Sequence, residues 1–524
     1  MHCMTLGTQV QHPQTTQGQT MLPKRTKLKN LPHHVDMLVI GGGITGAGVA
    51  LLAAQQGLRV LLVEQKDYAW GTSSRSSKMV HGGLRYLAQG SVGLTRESLR
   101  ERELLINELP GLVQRHSYLF PIYKKQFPGR WAMGAALMLY DWFAGVRDHQ
   151  WLPLKKLKQR LPFMAVHKIS GAMRYSDAAT DDSRLVLRVL QEACAEGAEV
   201  MNYVQAKSIE PISGTAENPT QEHSQVSLVD ALTNEERFIT ANHVVNATGT
   251  WADELSATAP KIRPLRGSHL VFPAHKLPVN AALALLHPND KRLIFVFPWY
   301  GHTVVGTTDL DHSQPKFDEA YAEPEEIDYL LQLIAVRFPH CNIGRKDIIS
   351  TQAGVRPIIS SGKNIKPSDE NRGHLVWQAP GRITVSGGKL TTFRVMGLEV
   401  LLAAGIINKR EFKKRYRQKT LFSHEIDWPE GLGHLDDPQP ITVAESEKLK
   451  TWWHWAIHNE QVVHLDDLML RRTHIGNLVA DGGQALLATH QSWLQHELGW
   501  DSGRWDHELA RYMEIWRGYY QPRG

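Results

Sequence analysis

Cysteine is scarce in this sequence: Cys3, Cys194 and Cys341 are isolated from one another among 524 residues. No CxxC pair exists, so a disulfide framework is excluded and the usage fits a reducing cytoplasm. Long apolar runs are missing too. AMGAALMLY and VNAALALLH reach about half of the roughly 18 to 20 residues that a spanning helix needs. A membrane contact would therefore lie on the bilayer rather than cross it. HxH, HExxH and paired-cysteine spacings are absent, which leaves no apparent metal site, and there is no GKS/T phosphate loop. Acidic residues are absent from the first 35 positions, which also lack a signal-peptide core. Residues 1–34 read as a disordered tail, with Met4 and Met21 as alternative starts. Their basic residues gather in KRTKLK without an amphipathic helix, which argues against a transit peptide.

What is present describes a large globular chain. Its 524 residues predict two or three domains, and 42% hydrophobic with 21% charged residues excludes fibrous or wholly disordered classes. Lys+Arg 59 against Asp+Glu 53 gives a net charge of +6, a mild excess that suits anionic substrates, acidic membranes or nucleic acid without choosing among them.

Ordered structure is expected to begin at DMLVIGGGITGAGVALLAAQQGLRVLLVE. An apolar run is followed by Gly41, Gly43 and Gly46, an alanine- and leucine-rich helix, and a second apolar run ending in Glu64. This is a βαβ unit for a dinucleotide. The glycines allow a tight turn and close approach of backbone N–H groups to a pyrophosphate, and the helix N-terminus adds partial positive charge. Glu64 is placed to accept hydrogen bonds from a ribose, and its acid disfavours a 2′-phosphate. DDSRLVLRVLQEACAEGAEVMNY predicts a second helix capped by Asp181 or Asp182 and stopped at Gly197. QVSLVDAL and RFITANHVVNATGTWA read as a hairpin or meander. Its small-residue turn at Asn246 to Gly249, including Ala247, lets backbone approach the dinucleotide.

DMLVIGGGITGAG, TSSRSSKMVHGGLRYL, YSDAATDDSRLVL, VNATGTWADEL, RGSHLVFP, FVFPWYGHTVVGTTDLD, AGVRPI and SGGKLTTFR occur in this order. Over residues 36–396 the chain resembles the FAD-dependent glycerol-3-phosphate dehydrogenases, with HGGLRYL, GTTD and GGKLTT the most specific segments. The resemblance implies an α/β plus α fold: a Rossmann-like FAD-binding domain of the amino-acid-oxidase type, an antiparallel-sheet substrate domain and a helical C-terminal domain. The expected segments are 35–110, 175–268 and 350–404 for FAD, 111–174 and 269–349 for substrate, and 405–524 for the helices.

Oxidising a secondary alcohol requires a hydride acceptor, a base for the hydroxyl proton and positive surroundings for the developing alkoxide. A phosphorylated substrate adds a need for cations. Arg85, Arg356 and Lys389 stand beside glycines or small residues, where a side chain can project into a cleft. Arg offers a fork matched to phosphate and Lys a point charge. By resemblance these three line the substrate pocket with Tyr86, Thr307 and Thr308. His81 is the first choice of base and His269 the second, since a neutral imidazole suits that role. Thr72, Ser73, Ser76, Ser77 and Lys78 would hold the flavin, while Gly388, Leu390, Thr391 and Thr392 would face its pyrimidine end. Arg75 has no assigned role.

The remaining chain is helical and basic from Gly405, crosses a Pro/Gly/Asp-rich linker and ends in a region where 8 of the 15 tryptophans lie. These read as helical core, with a membrane interface as the other reading. The segment before VVHLDDLMLRRTHIG is shorter than the family pattern. The leading expectation is oxidation of sn-glycerol 3-phosphate to dihydroxyacetone phosphate with electrons passed to a quinone. The protein would sit peripherally on the inner face of the cytoplasmic membrane, with a homodimer left open. The alternatives are an oxidase that reduces oxygen to hydrogen peroxide, or another FAD-dependent oxidase of the same fold. A basic nucleotide-binding or RNA-associated protein is the reading from another class; the three cations argue against it, and no nucleic-acid partner is expected.

Overall fold

Met37 to Ile40 are apolar on both faces of the chain, the signature of a strand covered from two sides. In the computed structural model they are buried in β1 (His34–Ile40), followed by α1 (Ile44–Ala54) and β2 (Val60–Val63). The structure describes residues 21–88, 90–212, 223–259, 261–315, 319–362, 370, 372–435 and 445–524, without the side chains of residues 85 and 88. β1 pairs in parallel with β2 and with Glu236–Asn246. The central order of the first sheet is His374–Ala379, Arg382–Gly387, Glu236–Asn246, β1, β2, Glu199–Met201. Every residue of α1 except Thr45 is buried, because Gly48 and Gly397 let it press against Phe393–Ala403.

The second sheet has ten strands, mostly antiparallel. Two helices pack near it: α2 (Val92–Glu108) and α3 (Arg130–Ala144). The predicted second helix is α4 (Asp182–Ala195), with Asp181 as its cap accepting from the Arg184 N–H at 2.9 Å. Gly197 follows at φ +97° and ends it.

Several expected boundaries move. Residues 21–34 are not a loose tail: Leu22, Leu28 and Leu31 are buried, because this basic stretch hides its leucines while its polar groups face out. Residues 1–20 lie outside the described residues. Ser350–Ile359 pairs with Ile262–Pro273 in the second sheet, and the first sheet resumes at His374–Ala379. The boundaries at 174/175 and 268/269 fall inside the strands Ile169–Thr180 and Ile262–Pro273; alternation marks a strand but not the place where it crosses between domains.

The C-terminal helices include α5 (Ser446–Asn459), α6 (Gln484–Leu498) and α7 (Ser502–Tyr519). Trp452, Trp453, Trp455, Trp505 and Trp516 are all buried, which is the core reading of the tryptophan-rich region. A buried ionic network ties this region to the end of β2. The Asp67 carboxylate accepts from Arg471 Nε at 2.6 Å and from Arg472 Nη1 and Nη2 at 2.7 and 2.8 Å. Arg471 also reaches Asp466 and Asp467 at 2.7 and 2.6 Å. Among the described residues, no helix is long and apolar enough to cross a membrane.

Candidate active site

A cavity of about 390 Å³ opens where β1 meets α1. Its walls include Gly41, Gly43, Glu64, Thr72, Ser73, Ser76, Ala247, Gly249, Gly388, Lys389 and Leu390, eleven positions singled out in the sequence. The glycines are needed for space. A Cβ on Gly41 would stand 2.6 Å from the Ala247 carbonyl, and one on Gly46 only 1.9 Å from that of Gly41. Gly46 thus shapes the turn from behind without lining it. The Glu64 carboxylate accepts from the Gly42 and Lys66 N–H groups at 2.6 and 2.9 Å, so it braces the turn as well as facing the cavity. Burial pushes its pKa up. Ser73 Oγ accepts from the Ile44 N–H at 3.0 Å and caps α1.

Other expected flavin contacts are committed elsewhere. Lys78 is buried, with Nζ 2.6 Å from Asp182 Oδ1 and 2.6 Å from the Ser74 carbonyl. A buried ammonium needs a counter-charge, and α4 supplies it, so Lys78 is a structural cation rather than a phosphate ligand. Ser76 lines the cavity, but its N–H and Oγ both bond Asp182 at 2.9 and 2.7 Å. Ser77 Oγ pairs with His269 Nε2 at 2.9 Å and belongs to the substrate side. Thr391 and Thr392 are buried at the start of Phe393–Ala403 and do not line the cavity; Thr72 lines it and donates to the Val355 carbonyl.

The substrate candidates gather around Tyr86. His81 stacks on its ring with centroids 6.3 Å apart, and Lys389 Nζ lies 3.8 Å from its centroid on the way to Ser98 Oγ at 2.8 Å. Burial pulls Lys389 down to about 7. Arg356 donates from Nη2 to Thr307 Oγ1 at 2.8 Å and pairs with Asp309 at 3.3 Å. Its side chain keeps 26% exposure, enough to meet a solute. Burial lowers its pKa to about 10, still cationic at neutral pH. His81 is lowered to about 4 by burial, and His269 to about 3 by burial, Arg356 and Lys78. Both imidazoles are neutral across the physiological range, as a base requires. His269 is held by Ser77, which leaves His81 the better candidate. Thr308 is a correction: its hydroxyl donates to Glu326 at 2.5 Å and accepts from the Ser268 N–H at 2.8 Å, so it fixes the strand end and faces no pocket. Arg85 lies on the short helix Leu84–Ala88, and its side chain is outside the described residues.

Sequence reasoning missed the residues that hold these groups in place. Gly267 makes room for Arg356, whose nitrogens would lie 2.3 and 2.5 Å from a Cβ there. Asp309 gathers Arg356, Arg372 and Arg292 at 3.3, 2.8 and 3.7 Å. Asp177 accepts from the Gly82 N–H at 3.1 Å, from Tyr140 at 2.7 Å and from Arg102 at 2.6 Å, and so fixes the HGG loop. An acid next to no glycine and far from its partners carries no local signal. Arg75, without a role in the sequence, is buried against Glu319 at 2.9 Å and the Tyr520 hydroxyl at 3.1 Å.

Residues 36–395 match the family model described as FAD dependent oxidoreductase. An aerobic glycerol-3-phosphate dehydrogenase of Staphylococcus aureus is 36% identical over 399 residues, 74% of this chain and 69% of that protein. The chain belongs to the FAD-dependent glycerol-3-phosphate dehydrogenase family. Its cofactor is FAD, as the resemblance implied. The glycine turn that a Cβ would fill, with Glu64 beside it, suits the adenosine and pyrophosphate of that cofactor. The fold of this family member is also that of a glycerol-3-phosphate dehydrogenase from Bacillus halodurans complexed with FAD. The match has TM-score 0.66 and 24% identity over 92% of this chain and 95% of that one. An L-alpha-glycerophosphate oxidase from Mycoplasma pneumoniae with FAD bound shares the fold at TM-score 0.56 and 18% identity, over 71% of this chain and 95% of that one.

The Lys389 pKa sets a pH dependence. Below about 7 the ammonium is protonated and attracts a phosphate; above it the charge is lost. KM for a phosphorylated substrate is therefore expected to rise as the pH passes about 7 and to level off near the value of a site without the charge. Initial rates in wild type and Lys389→Met check this; the variant should have a raised KM without that slope.

Proposed function

We propose that the protein oxidises sn-glycerol 3-phosphate to dihydroxyacetone phosphate and delivers the electrons to a membrane quinone. The carrying observation is Lys389, which lines the glycine-floored cavity and reaches back over the Tyr86 ring, where a neutral His81 stacks and the Tyr86 hydroxyl acts on the cationic Arg356. FAD, when bound, supplies the hydride acceptor. The chain's own groups do the rest. Arg356 and Lys389 offset the phosphate charge, and Thr307 with Asp309 fixes the guanidinium. A ring nitrogen of His81 takes the hydroxyl proton, which its low pKa leaves it free to do at neutral pH.

A lipid acceptor is favoured by α3. Trp131, Met138 and Trp142 are 82, 63 and 73% exposed along one side of it, with Phe127 at 87% just before. Lys124, Lys125, Arg130 and Arg147 are exposed around them. An apolar stripe with a basic rim is what an anionic bilayer surface binds. The opposite side of α3 buries Tyr140 on Asp177, which holds the HGG loop. Only about one helix diameter, ~10 Å, then separates that loop from the lipid-facing side. This supports a peripheral position on the inner face of the cytoplasmic membrane.

The test is anaerobic mixing of the holoenzyme with glycerol 3-phosphate, glycerol or a D-amino acid while flavin absorbance is followed. Fast bleaching by glycerol 3-phosphate, slow bleaching by glycerol and none by a D-amino acid are expected; bleaching by glycerol and not its phosphate would sink the phosphate-clamp reading. With the same substrate, quinone in anionic vesicles should be reduced far faster than oxygen yields peroxide. The reverse ratio would make the protein an oxidase.

A further inference from the structure

On α5, His454 and His458 are one turn apart and so share a face of the helix. Both rings turn to a single atom of α6: His454 Nδ1 lies 2.7 Å and His458 Nε2 2.9 Å from Glu497 Oε2. The two imidazoles sit with centroids 4.4 Å apart. The ligand atoms of the three residues all lie within 4.8 Å of one another. Their backbones are held by buried Trp453, which packs on Trp493 and His490 of α6 at 6.4 and 5.6 Å. The site is open to solvent: His454 and His458 are 59 and 42% exposed and Glu497 14%. His496 stands beside it, with Nδ1 3.8 Å from Glu497 Oε1.

We propose that His454, His458 and Glu497 form a transition-metal site of the zinc class that clamps α5 to α6. Two neutral imidazoles and one carboxylate are the donors that zinc, nickel or cobalt prefer, whereas magnesium and calcium take oxygen alone. Bonds of about 2.0 to 2.2 Å in tetrahedral geometry place ligand atoms about 3.3 Å apart. The two imidazole–carboxylate contacts, at 2.7 and 2.9 Å, therefore widen by about half an ångström to admit the ion, with water or His496 as the fourth ligand. The other two clusters of this kind among the described residues are already filled by cations: Lys78 occupies Asp182, beside Asp181 and His474, and Arg188 occupies Glu192, beside Glu196 and His424. None of the three proposed ligands lines the cofactor cavity, so the clamp concerns the helical domain and not the redox step. The third ligand left no sign in the sequence, because Glu497 lies 39 residues beyond His458.

The experiment uses chelator-treated full-length holoenzyme titrated calorimetrically with zinc chloride and, separately, magnesium chloride. Wild type is expected to bind one more equivalent of zinc per chain than the His454→Gln/His458→Gln variant. Glu497→Gln should weaken that equivalent by at least about tenfold. Zinc should raise the melting temperature of wild type only, and magnesium of neither. Unchanged flavin content and zinc-free melting in the double variant show that it folds. Equal zinc stoichiometry in wild type and double variant would overturn the proposal and leave an ordinary imidazole–carboxylate ion pair.

Discussion

Arg356→Ala is expected to lower kcat/KM for glycerol 3-phosphate by about 100- to 1,000-fold while the protein keeps its flavin. The magnitude is that of removing a charged donor from a partly desolvated site, where its hydrogen bonds are strongest. The retention follows from position, since Arg356 does not line the cofactor cavity. Asp309 is not stranded by the change, because Arg372 and Arg292 remain on it. The discriminating measurement is the slow oxidation of glycerol, which has no phosphate to lose. Its rate should be nearly equal in wild type and variant, so that most of the preference for the phosphorylated substrate disappears. Arg356→Lys should recover part of the loss, since the charge returns without the planar fork. Loss of flavin, or an equal fall for glycerol, would move Arg356 out of the phosphate-binding role.

Asp67→Ala is expected to destabilise the protein by about 3–5 kcal/mol, the usual consequence of leaving buried charge without its partner. Two guanidiniums lose their shared carboxylate, while Arg471 retains Asp466 and Asp467 and Arg472 retains the Glu460 carbonyl. Limited proteolysis should then cut first in the helical region 445–524, with a lowered melting temperature to match. The effect has a pH signature. Burial raises the Asp67 pKa, but Arg472 and Arg471 outweigh it and hold the group below its ordinary value. Its contribution is thus complete above the unfolded pKa of about 4 and is lost as the pH falls further. The gap between wild type and variant should be widest near neutrality and narrow in acid. A gap that widened on acidification would contradict the assignment.

The contrast between these residues shows what the sequence made legible. The turn at Gly41, Gly43 and Gly46 with Glu64 beside it was legible because Gly46 meets Gly41 and Glu64 meets Gly42 within one βαβ unit, where spacing alone determines which atoms meet. The helix ends, at Asp181 or Asp182 and at Gly197, were legible for the same reason, and the structure chooses Asp181. Lys78 could not: in SSRSSKMVHGGLRYL it looks as available to a flavin as its neighbours, and its counter-ion is 104 residues away. Arg75 was unassigned because Tyr520 and Glu319 are more distant still. Thr308 was grouped with Thr307 at the pocket, since the two threonines of GTTD have different partners and composition is blind to direction. In AMGAALMLY the apolar length was visible, but not which residues of its helix would remain uncovered.

The buried ion network at Asp67 also has a history in time. Arg471 lies 404 residues and Arg472 405 residues after Asp67, and Tyr520 comes 445 residues after Arg75. A ribosome adding about 5–20 residues per second reaches those partners some 20–90 seconds after the first βαβ unit has left the exit tunnel. Throughout that interval the nascent flavin-binding half carries Asp67 without its guanidinium partners, on a surface destined for the interior. The last helices are thus the step that seals the cofactor domain, and chains released early are the ones a quality-control protease would find open.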